Sequence, residues 1–210
     1  MAKLKKRFLF SLLVLLITLA AFAFAYEGKL IVTKDPSIVY FLLGKYYFNN
    51  QNYGEALNNF EKALEINPNF IEAGHNLGIA YYKLGQIDNA IKELKNAISQ
   101  KNNYEKAYYS LALIYYGNKD YENAIQSLLN VIELNNENAN AYFDLAVIHV
   151  ERFREKESAG VITLASLDDL RKGLFYYSKV IELDSNFPYA ASNAEIIKNI
   201  INDYEHKFGE

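Results

Sequence analysis

The chain has 210 residues, 51% hydrophobic and 15% aromatic, which is enough apolar surface for a substantial core. It contains no cysteine, which excludes disulfides, thiol catalysis, thiolate metal sites and a lipid-anchored cysteine. The net charge is −3, yet Lys3, Lys5, Lys6 and Arg7 open the chain, and residues 26–210 carry 25 acidic against 18 basic side chains. With no run of Lys or Arg after the start, this acidic balance argues against a nucleic-acid partner.

Residues 1–25 read as an export segment. A positive start is followed by Phe8–Ala25, 18 residues without a charge, and Ala23-Phe24-Ala25 supplies small residues at a cleavage point before Tyr26. Left uncut, the same stretch is just long enough to span a bilayer. The segment is therefore a signal peptide or a membrane anchor, and in both cases the positive-inside rule places the remainder outside the cytoplasm. A cleaved product is periplasmic or secreted, and an uncut one is tethered with membrane contact only through residues 8–25. Residues 26–36 form a short linker.

From residue 37 a period takes over. Leu43, Leu77, Leu111 and Leu145 recur at a step of 34 residues, followed by Gly44, Gly78, Ala112 and Ala146, then Tyr47, Tyr81, Tyr115 and His149. Ala56, Ala90 and Ala124 keep the same step in the next segment. Self-similarity at such a period means stacked helical hairpins. In the first, residues 37–70, one helix runs from Ser37 to Asn49, Asn50-Gln51-Asn52 turns, and a second runs from Tyr53 to Ile66 before Pro68. Tyr40, Leu43 and Tyr47 mark the apolar face of the first helix, and Ala56, Leu57, Phe60, Ala63 and Leu64 that of the second. Gly44 and Ala56 lack bulk where the two must approach.

Residues 71–104 and 105–138 repeat the hairpin. The fourth, 139–187, begins on schedule with Tyr142, Leu145, Ala146 and His149, but its second helix, with Gly173, Tyr177 and Val180, arrives 15 residues late. The insertion covers about 152–166. A charged stretch, Arg152 to Glu157, extends the helix, Ser158-Ala159-Gly160 interrupts it, and Val161, Ile162 and Leu164 form an apolar arm. Ser166-Leu167-Asp168-Asp169 then reads as a helix start with a capping side chain and favourable negative charge. A last helix, 188–206, with Ala190, Ala194, Ile197 and Ile201 on one side, caps the stack.

Tyr40, Leu43, Gly44, Tyr47, Ala56, Phe60, Ala63 and Pro68 resemble the tetratricopeptide repeat signature at every diagnostic position. The resemblance runs from residue 37 to about 206, or 208 at the domain edge, with the insertion outside the pattern. It implies an all-α fold: a right-handed α-solenoid of about four hairpins plus the capping helix. It also implies a groove walled by the first helix of each hairpin. The groove-facing places of the family fall here on Phe41, His75, Tyr109 and Phe143, on Lys45, Ile79, Leu113 and Val147, and on Phe48, Tyr82, Tyr116 and Val150. Aromatic residues at these places are partly what packing in the family supplies by default. Ile79, Leu113 and Val147 depart from its common polar residue and suit a partner helix or an apolar extended peptide. The protein's own insertion or last helix is the other possible occupant. Of the family's carboxylate clamp, Asn76 and Lys106 match, whereas Phe41, Lys45 and Ser110 do not.

Nothing in the chain spells catalysis, a metal site or a cofactor. His75, His149 and His206 lie on different helices and belong to no His-Glu-x-x-His pair, phosphate loop or serine elbow. His149 stands in a packing place and is expected to be buried, while His75 lies on the groove wall. The reading is a non-enzymatic scaffold for a protein or peptide, free or anchored in an envelope or secretion assembly, with self-association as a further possibility.

Overall fold

In the computed structural model, residues 23–26, 29–32 and 35–209 are described. The export segment up to residue 22 lies outside them. Ala23–Tyr26 (β1) and Lys29–Val32 (β2) form an antiparallel pair, so the expected linker contains a strand, and the pairing crosses the proposed cleavage point. Among the described residues, no helix is long and apolar enough to cross a membrane.

The rest is helical: α1 (Pro36–Asn49), α2 (Tyr53–Ile66), α3 (Ile71–Lys83), α4 (Ile87–Gln100), α5 (Glu105–Gly117), α6 (Tyr121–Leu134), α7 (Ala139–Ser158), α8 (Leu167–Leu183) and α9 (Ala190–Gly209). Two compact units divide them, residues 1–102 with α1–α4 and residues 103–210 with α5–α9. The helix starts at residues 36, 71, 105 and 139, and at 53, 87 and 121, follow the 34-residue period to within a residue.

The period is written into the turns. Gln51, Gly85 and Lys119, 34 residues apart, all adopt left-handed backbone, with φ of 60°, 76° and 60°. This geometry closes each first helix and suits glycine best. Asp35, Asn52, Asp120 and Asn138 then cap α1, α2, α6 and α7 by accepting a backbone N–H two or three residues on.

In the first unit, Ala56, Phe60, Leu77 and Ala80 make the core, with Phe41, Tyr47, Phe48 and Leu57 packed against it. The predicted crossing is where the structure puts it. A Cβ on Gly44 would stand 2.5 Å from Cε1 of Phe60, whose ring is fully buried. Leu42 is buried and Leu43 only half-buried, a shift from the expected face, because α1 is apolar nearly all round and periodicity alone could not orient it.

In the second unit the insertion is mostly helix. Residues 152–158 continue α7 without a break, Gly160 turns the chain at φ 68°, and Leu164–Ser166 form one 3-10 turn before α8. Ser166 does not cap α8 as expected. Its hydroxyl faces back, accepting from the Thr163 N–H at 3.2 Å and donating to the Val161 carbonyl at 3.3 Å. The last helix starts two residues later than expected and runs three further. Its Ala190, Ala194, Ile197 and Ile201 are buried with Leu167, Leu170, Tyr177 and Val180 in one core.

Candidate binding surface

Each unit presents its own set of first-helix side chains. In the first, Phe41, Lys45, Phe48, His75, Asn76, Ile79 and Tyr82 are all half-buried. Phe41 is pinned at its base by Phe70, 4.8 Å between ring centroids, and Phe60 at 6.0 Å, with the Lys45 ammonium 5.9 Å from its ring. Phe48 meets Tyr53 edge-on at 5.2 Å. These aromatic walls are therefore rigid, with part of each ring left to solvent. The Asn76 amide donates to the Glu72 carbonyl of its own helix at 2.6 Å, which occupies the group that would serve a clamp. Nearby, the Tyr81 hydroxyl donates to Glu61 at 2.9 Å, and burial followed by that carboxylate pushes its pKa up to about 12.

In the second unit, Lys106 and Leu113 are exposed, and Tyr109, Tyr116, Phe143, Val147 and Val150 half-buried. Phe143 is drawn into packing: it touches Tyr177 at 5.4 Å and Phe187 at 5.1 Å. The Tyr109 hydroxyl donates to Asp144 at 2.6 Å. Burial raises the pKa of both partners, against which the hydrogen bond holds Asp144 down. Leu113, Tyr116, Asp144 and Val147 line a depression of about 70 Å³. Val147 and Val150 also line a cleft of about 270 Å³ against α9, so the last helix takes part in this surface without filling it.

Sequence reasoning missed a polar cluster between α7 and α8. Asp169, only 5% exposed, accepts from Lys156 Nζ at 2.6 Å and lies 3.1 Å from Nδ1 of His149 and 3.6 Å from Arg152 Nε. It is a tether for the lengthened α7, where it was expected to supply helix-start charge. Its carboxyl sits below the usual range, since the hydrogen bonds from Lys156 and His149 and the Arg152 charge outweigh burial. His149 is buried as expected, stacked on Tyr176, and burial lowers its pKa against the pull of Asp169. A neutral ring beside a carboxylate must carry its proton on Nδ1. A signal for other polar links existed in the period itself. Lys119 and Tyr121 reach Glu155, Tyr109 reaches Asp144, Asn138 reaches Glu105 and Arg171 reaches Glu205, each pair 33 to 36 residues apart.

Among the described residues no three His, Cys, Asp or Glu side chains gather where they could hold a metal ion.

Comparison with known proteins agrees with this architecture. Residues 47–114 match the tetratricopeptide repeat family and residues 114–151 match its TPR repeat. Among solved structures, MamA (41-end) from Desulfovibrio magneticus RS-1 is 18% identical, with 81% of this chain and 88% of that one covered at a TM-score of 0.64. YrrB, a TPR protein with an unusual peptide-binding site, is 20% identical over 76% and 74% of the two chains, at 0.60. The first TPR of Spaghetti (RPAP3), bound to the HSP90 peptide SRMEEVD, is 25% identical over 53% of this chain and 91% of that one, at 0.51. No curated protein matches the sequence.

Proposed function

From a chain that carries tetratricopeptide repeats across residues 47–151, we propose an exported, non-enzymatic scaffold that holds a peptide or helix of a partner protein on its first-helix side chains. The observation that supports it most lies in the second unit, where Leu113 and Val147 line one depression beside half-buried Tyr116 and Leu113 is 44% exposed. A water-facing aliphatic group such as Leu113 gains by being covered. YrrB and the RPAP3 repeat, which bind peptides, show that this architecture supports such a use. A clamp for a terminal carboxylate is a poorer fit here, because only Asn76 and Lys106 match it.

The test is site-specific photo-crosslinking in cells. Benzoylphenylalanine at Tyr82 or Leu113 is expected to give a discrete adduct with another protein, and at exposed Asn96 on α4 none. Equal labelling at all three positions, or no adduct at any, overturns the reading.

Export rests on residues 1–25, and the anchored form, a subunit fixed in an envelope or secretion assembly, rests on the same 18 uncharged residues. Intact mass after fractionation separates them. A product beginning at Tyr26 in the soluble fraction supports the free scaffold, and retention of residues 1–25 in the membrane supports the tethered subunit.

A further inference from the structure

The second unit differs from the first in helix length and in charge. Its α7 and α9 have 20 residues each, against 13 or 14 in α1–α6. The two long helices are fastened at their far ends. The Tyr204 hydroxyl donates to Glu157 at 2.6 Å, and its ring meets Phe153 edge-on at 5.6 Å. Upstream of that fastening the helices leave the cleft of about 270 Å³, floored by Phe153, Leu170 and Ile197 and edged by Val147, Val150 and Ile196. Ile196 is 54% exposed at its rim. Val147 continues the surface into the depression beside Leu113. An aliphatic track thus crosses the unit, with room at the cleft for one or two aliphatic side chains.

The charges around this track have one predominant sign. Residues 26–102 hold eight acidic and eight basic side chains, whereas residues 103–210 hold 17 acidic and ten basic, which puts the whole excess in this unit. At the track itself Asp144, Glu151 and Glu157 stand against Arg154, whose Nη1 is already 2.9 Å from Glu151. An occupant must therefore bring apolar groups for the cleft and positive charge for its edge.

We infer that the cleft between α7 and α9 receives a basic amphipathic helix, its aliphatic side chains entering beside Ile196 and its Lys or Arg residues facing Glu151 and Glu157. This rests on the scaffold reading above and specifies the chemistry of the partner at one place. The insertion gains a use as well, since it supplies Phe153, Arg154 and Glu157 to the cleft.

The experiment uses the purified full-length protein and two fluorescein-labelled peptides of about four helical turns. Both place Leu at the same amphipathic positions, one with Lys and the other with Glu elsewhere, and binding is read by anisotropy. The Lys peptide is expected to bind at least roughly tenfold more tightly than the Glu peptide. Ile196→Glu is expected to weaken it by a similar factor, with an unchanged circular-dichroism melt as the control for folding. This variant adds negative charge, so mere long-range attraction would strengthen binding, and equal or tighter binding of the Lys peptide to it overturns the inference. Equal affinity for the two peptides, or no binding of either, does so too. If a peptide result fails while crosslinks at Tyr82 persist, the partner chemistry is wrong and the scaffold reading stands. Loss of those crosslinks as well removes both.

Discussion

Replacing Gly44 by Ala should destabilise the protein although alanine is the better helix former. A Cβ at that position would lie 2.5 Å from Cε1 and 2.6 Å from Cδ1 of Phe60, far inside van der Waals contact, and Phe60 is fully buried, so its ring has nowhere to swing. Forcing a methyl group into such a contact costs about 1–3 kcal/mol. The helix-propensity gain of Gly to Ala offsets roughly 0.8–1 kcal/mol of that. The net expectation is a loss of about 1 kcal/mol, or a melting temperature lower by some 2–4 °C for a chain of this size. Gly74 supplies the opposite sign: it lies within α3, and nothing stands within 4 Å of a Cβ built there, so Gly74→Ala should gain about 0.5–1 kcal/mol. Melts of the two variants beside the parent decide it. If Gly44→Ala melts at or above the parent, the close approach of α1 and α2 is not where the structure puts it.

Three other predictions concern polar groups and turns. Asp169→Asn leaves His149 and Lys156 facing no carboxylate and Arg152 with Glu122 alone. Allowing for water around the two long side chains, it should cost about 2–3 kcal/mol and speed hydrogen exchange over residues 152–166; an unchanged melt refutes the tether. His149 has a folded pKa below its unfolded value of 6.5, so the unfolded chain binds the extra proton first. Its contribution is then complete above that value and is lost as pH falls from it through the lower folded pKa. Melting temperature should drop from pH 7.5 to pH 5, with a visibly flatter slope in His149→Gln. Gln51→Gly relieves a non-glycine residue of left-handed backbone and should raise stability by about 0.5–1 kcal/mol, read by the same melts.

The hairpins were legible because several levels of the chain repeat them: the leucine and small-residue rows and the left-handed turn positions fall at one spacing of 34, and the caps Asn52 and Asp120 lie two such steps apart. The face of α1 was less so, since an all-apolar helix offers no periodicity to orient it. Asp169 was misread for a related reason. A carboxylate in a first helical turn has a local explanation, and only the fold reveals Lys156 and His149 beside it. Phe143 shows the limit of carrying positions over from a family. It occupies a groove place, yet it packs against Phe187, at the end of the last hairpin, and with it against the core.

The 15 additional residues explain the long last helix. Seven of them lengthen α7 by about two turns, and α8 grows to 17 residues, so the fourth hairpin projects beyond the length the other hairpins reach. A cap of ordinary length would leave Phe153 and Leu170 open to water. At 20 residues α9 reaches them, and Tyr204 with Glu205 locks the reach by pairing with Glu157 and Arg171. Two long helices joined at their tips by polar contacts and nearer their bases by a core need not touch between, and there the cleft lies. Insertion, long cap and cleft are thus one structural change, and a loop deletion that shortens α7 must act on all three together.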